Sequence, residues 1–198
     1  MKIFKLYVCA LIGLILLSGC VGFPRDTLGS LSELGSEETL VVGRVEIVPD
    51  LLDSEQTIKL LGNTDYWKKT MFILTSEENR EIRGKLKESD QKNQIRAELN
   101  KNFYVSNANK SFFIIGGMLY QEISAKYENK LIFPGGYKVS IKPGDKAVYI
   151  GTLQYHRNEY LEITKMFIVD DYERANAEFK KKYGVKYSLR KALLTPSS

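Results

Sequence analysis

One histidine serves all 198 residues, and only two cysteines accompany it. A Ser–His–acid triad would therefore have to use His156. That imidazole lies in the run Tyr155 to Tyr160, which reads as a hairpin turn, and no nucleophile elbow occurs in the sequence. We read it as a turn histidine. Zinc is disfavoured, because one His and two Cys cannot build a His- or Cys-rich site. Calcium needs clustered oxygen ligands. Asp50, Asp53 and Glu55 form the densest group, with Asp170, Asp171 and Glu173 next. Neither follows EF-hand spacing, and they read as a solvated turn and a helix cap. Glu159 and Glu162 alternate along the chain rather than pair as glycosidase carboxylates. The Gly116-Gly117 and Gly135-Gly136 pairs read as turns, and no phosphate-loop motif exists. No cofactor is expected, and no enzymatic activity.

Charge offers one candidate surface. The formal charge is +5, with acids and lysines interspersed in most segments. The exception is Lys180, Lys181, Lys182, Lys186, Arg190 and Lys191. This basic group suits anionic headgroups or cell-wall polymers, set beside a plainer reading as a solvated helix end. Nucleic acid is not expected as a partner. The chain also carries 12 Tyr, 9 Phe and 1 Trp. Tyr104, Tyr120, Tyr127, Tyr137, Tyr149, Tyr155 and Tyr160 spread over strand candidates. They read first as sheet packing and second as a sugar- or protein-binding surface.

The N-terminus carries the most specific signal. Lys2 and Lys5 precede an uncharged run of twelve residues, Leu6 to Leu17. As a helix that run spans about 18 Å, short of the roughly 30 Å hydrocarbon core. Basic start, short apolar run and small residues describe a secretory signal over 1–19. The quartet Leu17-Ser18-Gly19-Cys20 resembles the lipobox of bacterial lipoproteins. That resemblance implies cleavage before Cys20, a diacylglycerol thioether on its sulfur and usually an acylated amine. It also implies that the bilayer itself is a partner, through the lipid. Val21 lacks the Asp that retains such proteins in the inner membrane, so the resemblance implies the outer membrane in a double-membraned cell. Cleavage removes Lys2, Lys5 and Cys9, lowering the formal charge to +3. With Cys20 blocked, the mature chain is expected to have neither free thiol nor disulfide.

These groups need elements to position them. Residues 20–38 are rich in Gly, Ser and acids and read as a flexible tether, with a helical turn near Leu31 to Leu34. From Thr39 to Val48 the apolar residues alternate, with Val41, Val45 and Ile47 on one face and Arg44 and Glu46 on the other. Tyr66–Ser76 and Arg80–Ser89 are further strand candidates. Lys110–Ile123 reads as two short strands split by its glycines. Pro134-Gly135-Gly136 and Lys142–Lys146 read as turns. Ala147–Tyr155 is apolar on both faces, as a central strand would be. It should form a hairpin with 160–170, placing Leu161, Ile163, Phe167 and Val169 on one side.

The period then becomes helical over 171–183, with Tyr172, Ala175, Phe179 and Tyr183 on one stripe and Gly184 as the stop. The tail 185–198 should pack through Leu189, Leu193 and Leu194 and then fray. The domain proper is thus 39–184. Its expected fold is mainly β, an antiparallel β-sandwich of about seven strands with one C-terminal amphipathic helix. Phe133-Pro134-Gly135-Gly136-Tyr137 resembles an edge of transthyretin-like and carboxypeptidase-regulatory-like sandwiches, from which no site residue transfers. The expected function is a lipid-anchored cell-envelope lipoprotein, a non-catalytic module that binds or scaffolds an envelope protein or cell-wall polymer. The alternatives are a carbohydrate-binding module and an anchored hydrolase using His156 or a carboxylate pair.

Overall fold

The computed structural model describes residues 27–52, 55, 69–76, 94–123 and 128–197. The expected signal at 1–19, Cys20, Asp53, Tyr127 and the strand candidate at 80–89 lie outside the described residues. The strands are β1 (Thr39–Val48), β2 (Thr70–Ser76), β3 (Gln94–Glu98), β4 (Asn102–Asn107), β5 (Ser111–Ile123), β6 (Glu128–Ser140), β7 (Ala147–Arg157) and β8 (Ile163–Val169). Helix α1 (Tyr172–Tyr183) follows, then the two-residue strands β9 (Arg190–Lys191) and β10 (Thr195–Pro196).

They form two five-stranded sheets, as a sandwich requires. One has the order β4-β1-β7-β8 with β9 also on β7, and the other runs β10-β6-β5-β2-β3. Most ladders are antiparallel, but β1 and β9 both run parallel to β7, so the first sheet is mixed.

Alternation along β1 decides the layering. Val41, Val45 and Ile47 enter the core between the sheets, against Met71, Ile73, Phe133 and Tyr155. Leu40 and Val42 point the other way and are equally buried. They meet Tyr149 and the α1 residues Ala175 and Phe179, so the helix covers the outer face of this sheet. Burying a ring such as Phe179 contributes about 1.5–3 kcal/mol. The helix ends at Gly184, whose φ of 96° favours a residue without a Cβ. At its start Asp171 occupies the cap position without a side-chain capping hydrogen bond; Asp170 Oδ1 accepts from Tyr172 N at 3.2 Å instead.

Four expectations need correction. Lys110–Ile123 is not two strands, because β5 runs unbroken through Gly116 and Gly117. These face Pro134 and Phe133 across the ladder, and the backbone of Gly135 sits hard against Ile115 and Gly116. The glycines therefore permit close strand approach, not chain reversal. In β8, Met166 and Ile168 pack on the core while Phe167 and Val169 are exposed. A bulge between His156 and Arg157 shifts the register, which puts Ile163 on the face of Met166 and reverses the rest. The tail does not fray after Leu194, since β10 pairs with β6 and Ser197 N donates to Gly136 O at 2.8 Å. Finally, the described part of the expected tether is docked on the domain.

Candidate functional site

That docked segment closes one side of a cleft. Ser30 caps a single 3-10 turn, Leu31–Glu33. Its Oγ accepts from Ser32 N at 3.2 Å, and Glu33 Oε1 accepts from Ser30 N at 2.8 Å. This reciprocal pair satisfies the free amides of the turn. Leu28, Leu31 and Leu34 pack beside Phe179 and Tyr183. Leu28 N donates to Tyr104 O at 2.9 Å, and the Tyr183 hydroxyl donates to Leu28 O at 2.8 Å.

The other side is the last turn of α1 and the loop after Gly184. Between the two lies a cleft of about 530 Å³. Leu31, Leu34, Ala147 and Phe179 supply apolar surface, and Lys146, Lys182 and Lys186 supply charge. None of the described lining residues carries a carboxylate. Lys146 Nζ donates to Ser36 O at 3.1 Å. Lys182 Nζ stands 4.4 Å from the Tyr104 ring centroid and 5.3 Å from that of Tyr183. Burial pushes the pKa of Lys182 down, and Glu33 acts in the opposite sense. Lys186 Nζ lies 4.9 Å from the Tyr187 ring centroid. Ammonium groups held over ring faces gain cation–π attraction and stay free to meet an anion.

The six expected cations divide. All four lysines of this group are exposed, but only Lys182 and Lys186 line the cleft, while Lys180 and Lys181 do not. Arg190 instead grips Asp145, with Nε to Oδ1 at 2.7 Å and Nη2 to Oδ2 at 2.5 Å. Lys191 Nζ meets Asp170 Oδ2 at 2.8 Å. The last two are therefore partnered and tie the tail to the sheet. Lys146, from the turn before β7, belongs to the cleft although the sequence pattern did not single it out. Its signal was available only as a basic residue beside a turn. The cleft itself was hidden by reading residues 29–36 as tether.

The other candidates disperse. His156 lies near the end of β7, with Nε2 3.0 Å from Gln154 Oε1 and its ring edge-on to Phe167. Neither described partner is an acid or a nucleophile. Asp50 Oδ1 accepts from Asn100 Nδ2 at 3.2 Å, and Glu55 takes both Arg157 Nη1 and Nη2 at 2.9 Å. Asp171 pairs with Arg174. No three His, Cys, Asp or Glu converge to hold a metal ion among the described residues. Tyr104, Tyr149 and Tyr155 are buried in the cores, Tyr120 and Tyr137 are half-buried, and Tyr160 is exposed. No helix among the described residues is long and apolar enough to cross a membrane. No protein-family model, curated protein or solved structure matches this chain.

Proposed function

We propose that this chain is a lipid-anchored envelope module that binds or scaffolds another envelope component without doing chemistry. The reading rests on the quartet Leu17-Ser18-Gly19-Cys20 placed eight residues before Leu28. Leu28 is held to the domain by both its amide and its carbonyl. Eight Cα steps reach at most about 28 Å. An acylated Cys20 would therefore keep the sandwich close to the bilayer. Two or three acyl chains make such attachment stable, where one is marginal. The cleft supports a binding role, since its described lining offers cations, hydroxyls and apolar surface.

The test is intact mass of the membrane-extracted protein, with and without Cys20→Ser. The expected result is an N-terminus at Cys20 carrying acyl mass, and a variant that lacks it. An unacylated wild-type protein, or a variant of unchanged mass increment, overturns the anchor.

A further inference from the structure

We propose that the cleft between residues 29–36 and the end of α1 holds the anionic headgroup of a phospholipid from the bilayer that carries Cys20. This rests on the anchored reading and adds a site to it.

Three observations point to that ligand. First, the cleft collects Lys146, Lys182 and Lys186 with no carboxylate in its described lining. The half-charge at the negative end of the α1 dipole opposes an anion but is outweighed by three ammonium groups. Glu33 is near, yet one of its oxygens is committed to the amide of Ser30. Second, Lys182 has no ion pair among the described residues; its ammonium stands over the rings of Tyr104 and Tyr183, with Glu33 acting on it only through space. A phosphate oxygen would supply the direct ion pair that this ammonium lacks. Third, the half-buried Leu31 and Leu34 share the lining with the lysines, so the cleft suits a molecule with apolar as well as charged parts rather than a free ion.

Position adds to the chemistry. Gly29, which lines the cleft, is nine residues from Cys20, so the cleft opens within about 32 Å of the anchored sulfur. Basic residues near an anionic bilayer each gain about fivefold in partition, an advantage that falls off within about 10 Å at moderate salt.

The test uses the full lipidated protein, reconstituted either into phosphatidylcholine vesicles or into vesicles with about one third phosphatidylglycerol. Flotation first reports anchoring. A water-soluble amine-acetylating reagent, read by peptide mass, then reports the accessibility of each lysine. Flotation with both vesicles, together with acetylation of Lys146, Lys182 and Lys186 slowed at least about fivefold only on the anionic ones, supports the proposal. Lys165 on β8 should not change. Flotation with both and no slowing overturns the cleft site and leaves the anchor standing. Failure to float with neutral vesicles overturns both. Equal slowing at Lys180 and Lys181 replaces the cleft by a general basic face and overturns it. Slowing by inorganic phosphate on neutral vesicles assigns a free-anion site and overturns the headgroup.

Discussion

Glu178→Ala should loosen α1 from the first sheet by about 2 kcal/mol. The Arg44 side chain is 7% exposed in β1, under the helix, whereas that of Glu178 is 43% exposed. Nη2 of Arg44 meets Glu178 Oε1 at 2.6 Å, Nη1 donates to Asn100 O at 2.7 Å, and Nε donates to Asn102 Oδ1 at 3.1 Å. Asn102 Nδ2 in turn donates to Glu178 Oε2 at 2.8 Å. Removing the carboxylate deletes one charged bond to a buried guanidinium and one bond to an amide. Truncating the partner of a sealed buried charge costs about 3–5 kcal/mol. Water reaches Glu178, so the smaller value of a charge-assisted hydrogen bond, about 1.5–3 kcal/mol, applies. In a domain of this size that lowers Tm by about 4–8 °C. Glu178→Gln keeps the shape and an acceptor, and should lose about half as much. The assay is thermal unfolding followed by circular dichroism on the detergent-solubilised protein. An alanine variant within about 0.5 kcal/mol of wild type would behave as an ordinary surface substitution and would refute the reasoning.

Gly135→Ala should cost more than about 2 kcal/mol, because its Cβ meets the backbone of Ile115 and Gly116, which no rotamer can relieve. Gly144→Ala, with φ of 86° but open space around it, should cost only about 1–2 kcal/mol, and equal losses in the same melt would contradict the close approach. Acid should weaken the tail contact: the hydrogen bonds from Arg190 hold the Asp145 carboxyl below its ordinary value of 3.8. The stabilisation is complete above that ordinary value and is lost as pH falls through the lower folded-state value. Wild type should therefore lose its advantage over Asp145→Asn in that acid window, and a constant difference down to the lowest pH would exclude the linkage. Tyr183→Phe removes the bond to Leu28 O, worth about 1 kcal/mol, so hydrogen exchange at the Leu28 amide should speed about fivefold. Unchanged exchange would mean that packing alone holds the segment.

The legible parts of the fold were those where one pattern acts locally. Period-two alternation placed β1, and the apolar run of Ala147–Tyr155 marked β7 as central because α1 buries its outer face. The stripe Tyr172, Ala175, Phe179, Tyr183 with Gly184 behind it placed the helix. What failed needed knowledge of a neighbour. Gly116-Gly117 and Gly135-Gly136 look like turns until β5 and β6 lie side by side, and only then is the missing Cβ a packing requirement. A register shift in the β7–β8 ladder sent Phe167 and Val169 outward while Ile163 stayed on the core, a break invisible without the partner strand. The basic group was legible as composition but not as a surface, because Asp145 and Asp170, distant in sequence, claim Arg190 and Lys191. Lys146 was missed for the same reason in reverse, since it joins Lys182 and Lys186 only through the fold.

The docked N-terminal segment changes what an anchor at Cys20 would do. Were all eighteen residues from Val21 to Glu38 undocked, the chain could reach about 65 Å from Cys20 to Thr39. With docking from Leu28, only seven residues lie between Cys20 and the held segment, a reach of at most about 28 Å. An anchor at Cys20 would thus present the bilayer surface to the cleft at raised effective concentration. Contacts from three lysines, weak for a freely diffusing domain, would then act together on one surface. The same docking builds the cleft wall from Ser30 to Ser36. Shortening the leash and completing the site are therefore one structural event, and a substitution that frees Leu28 should weaken both together.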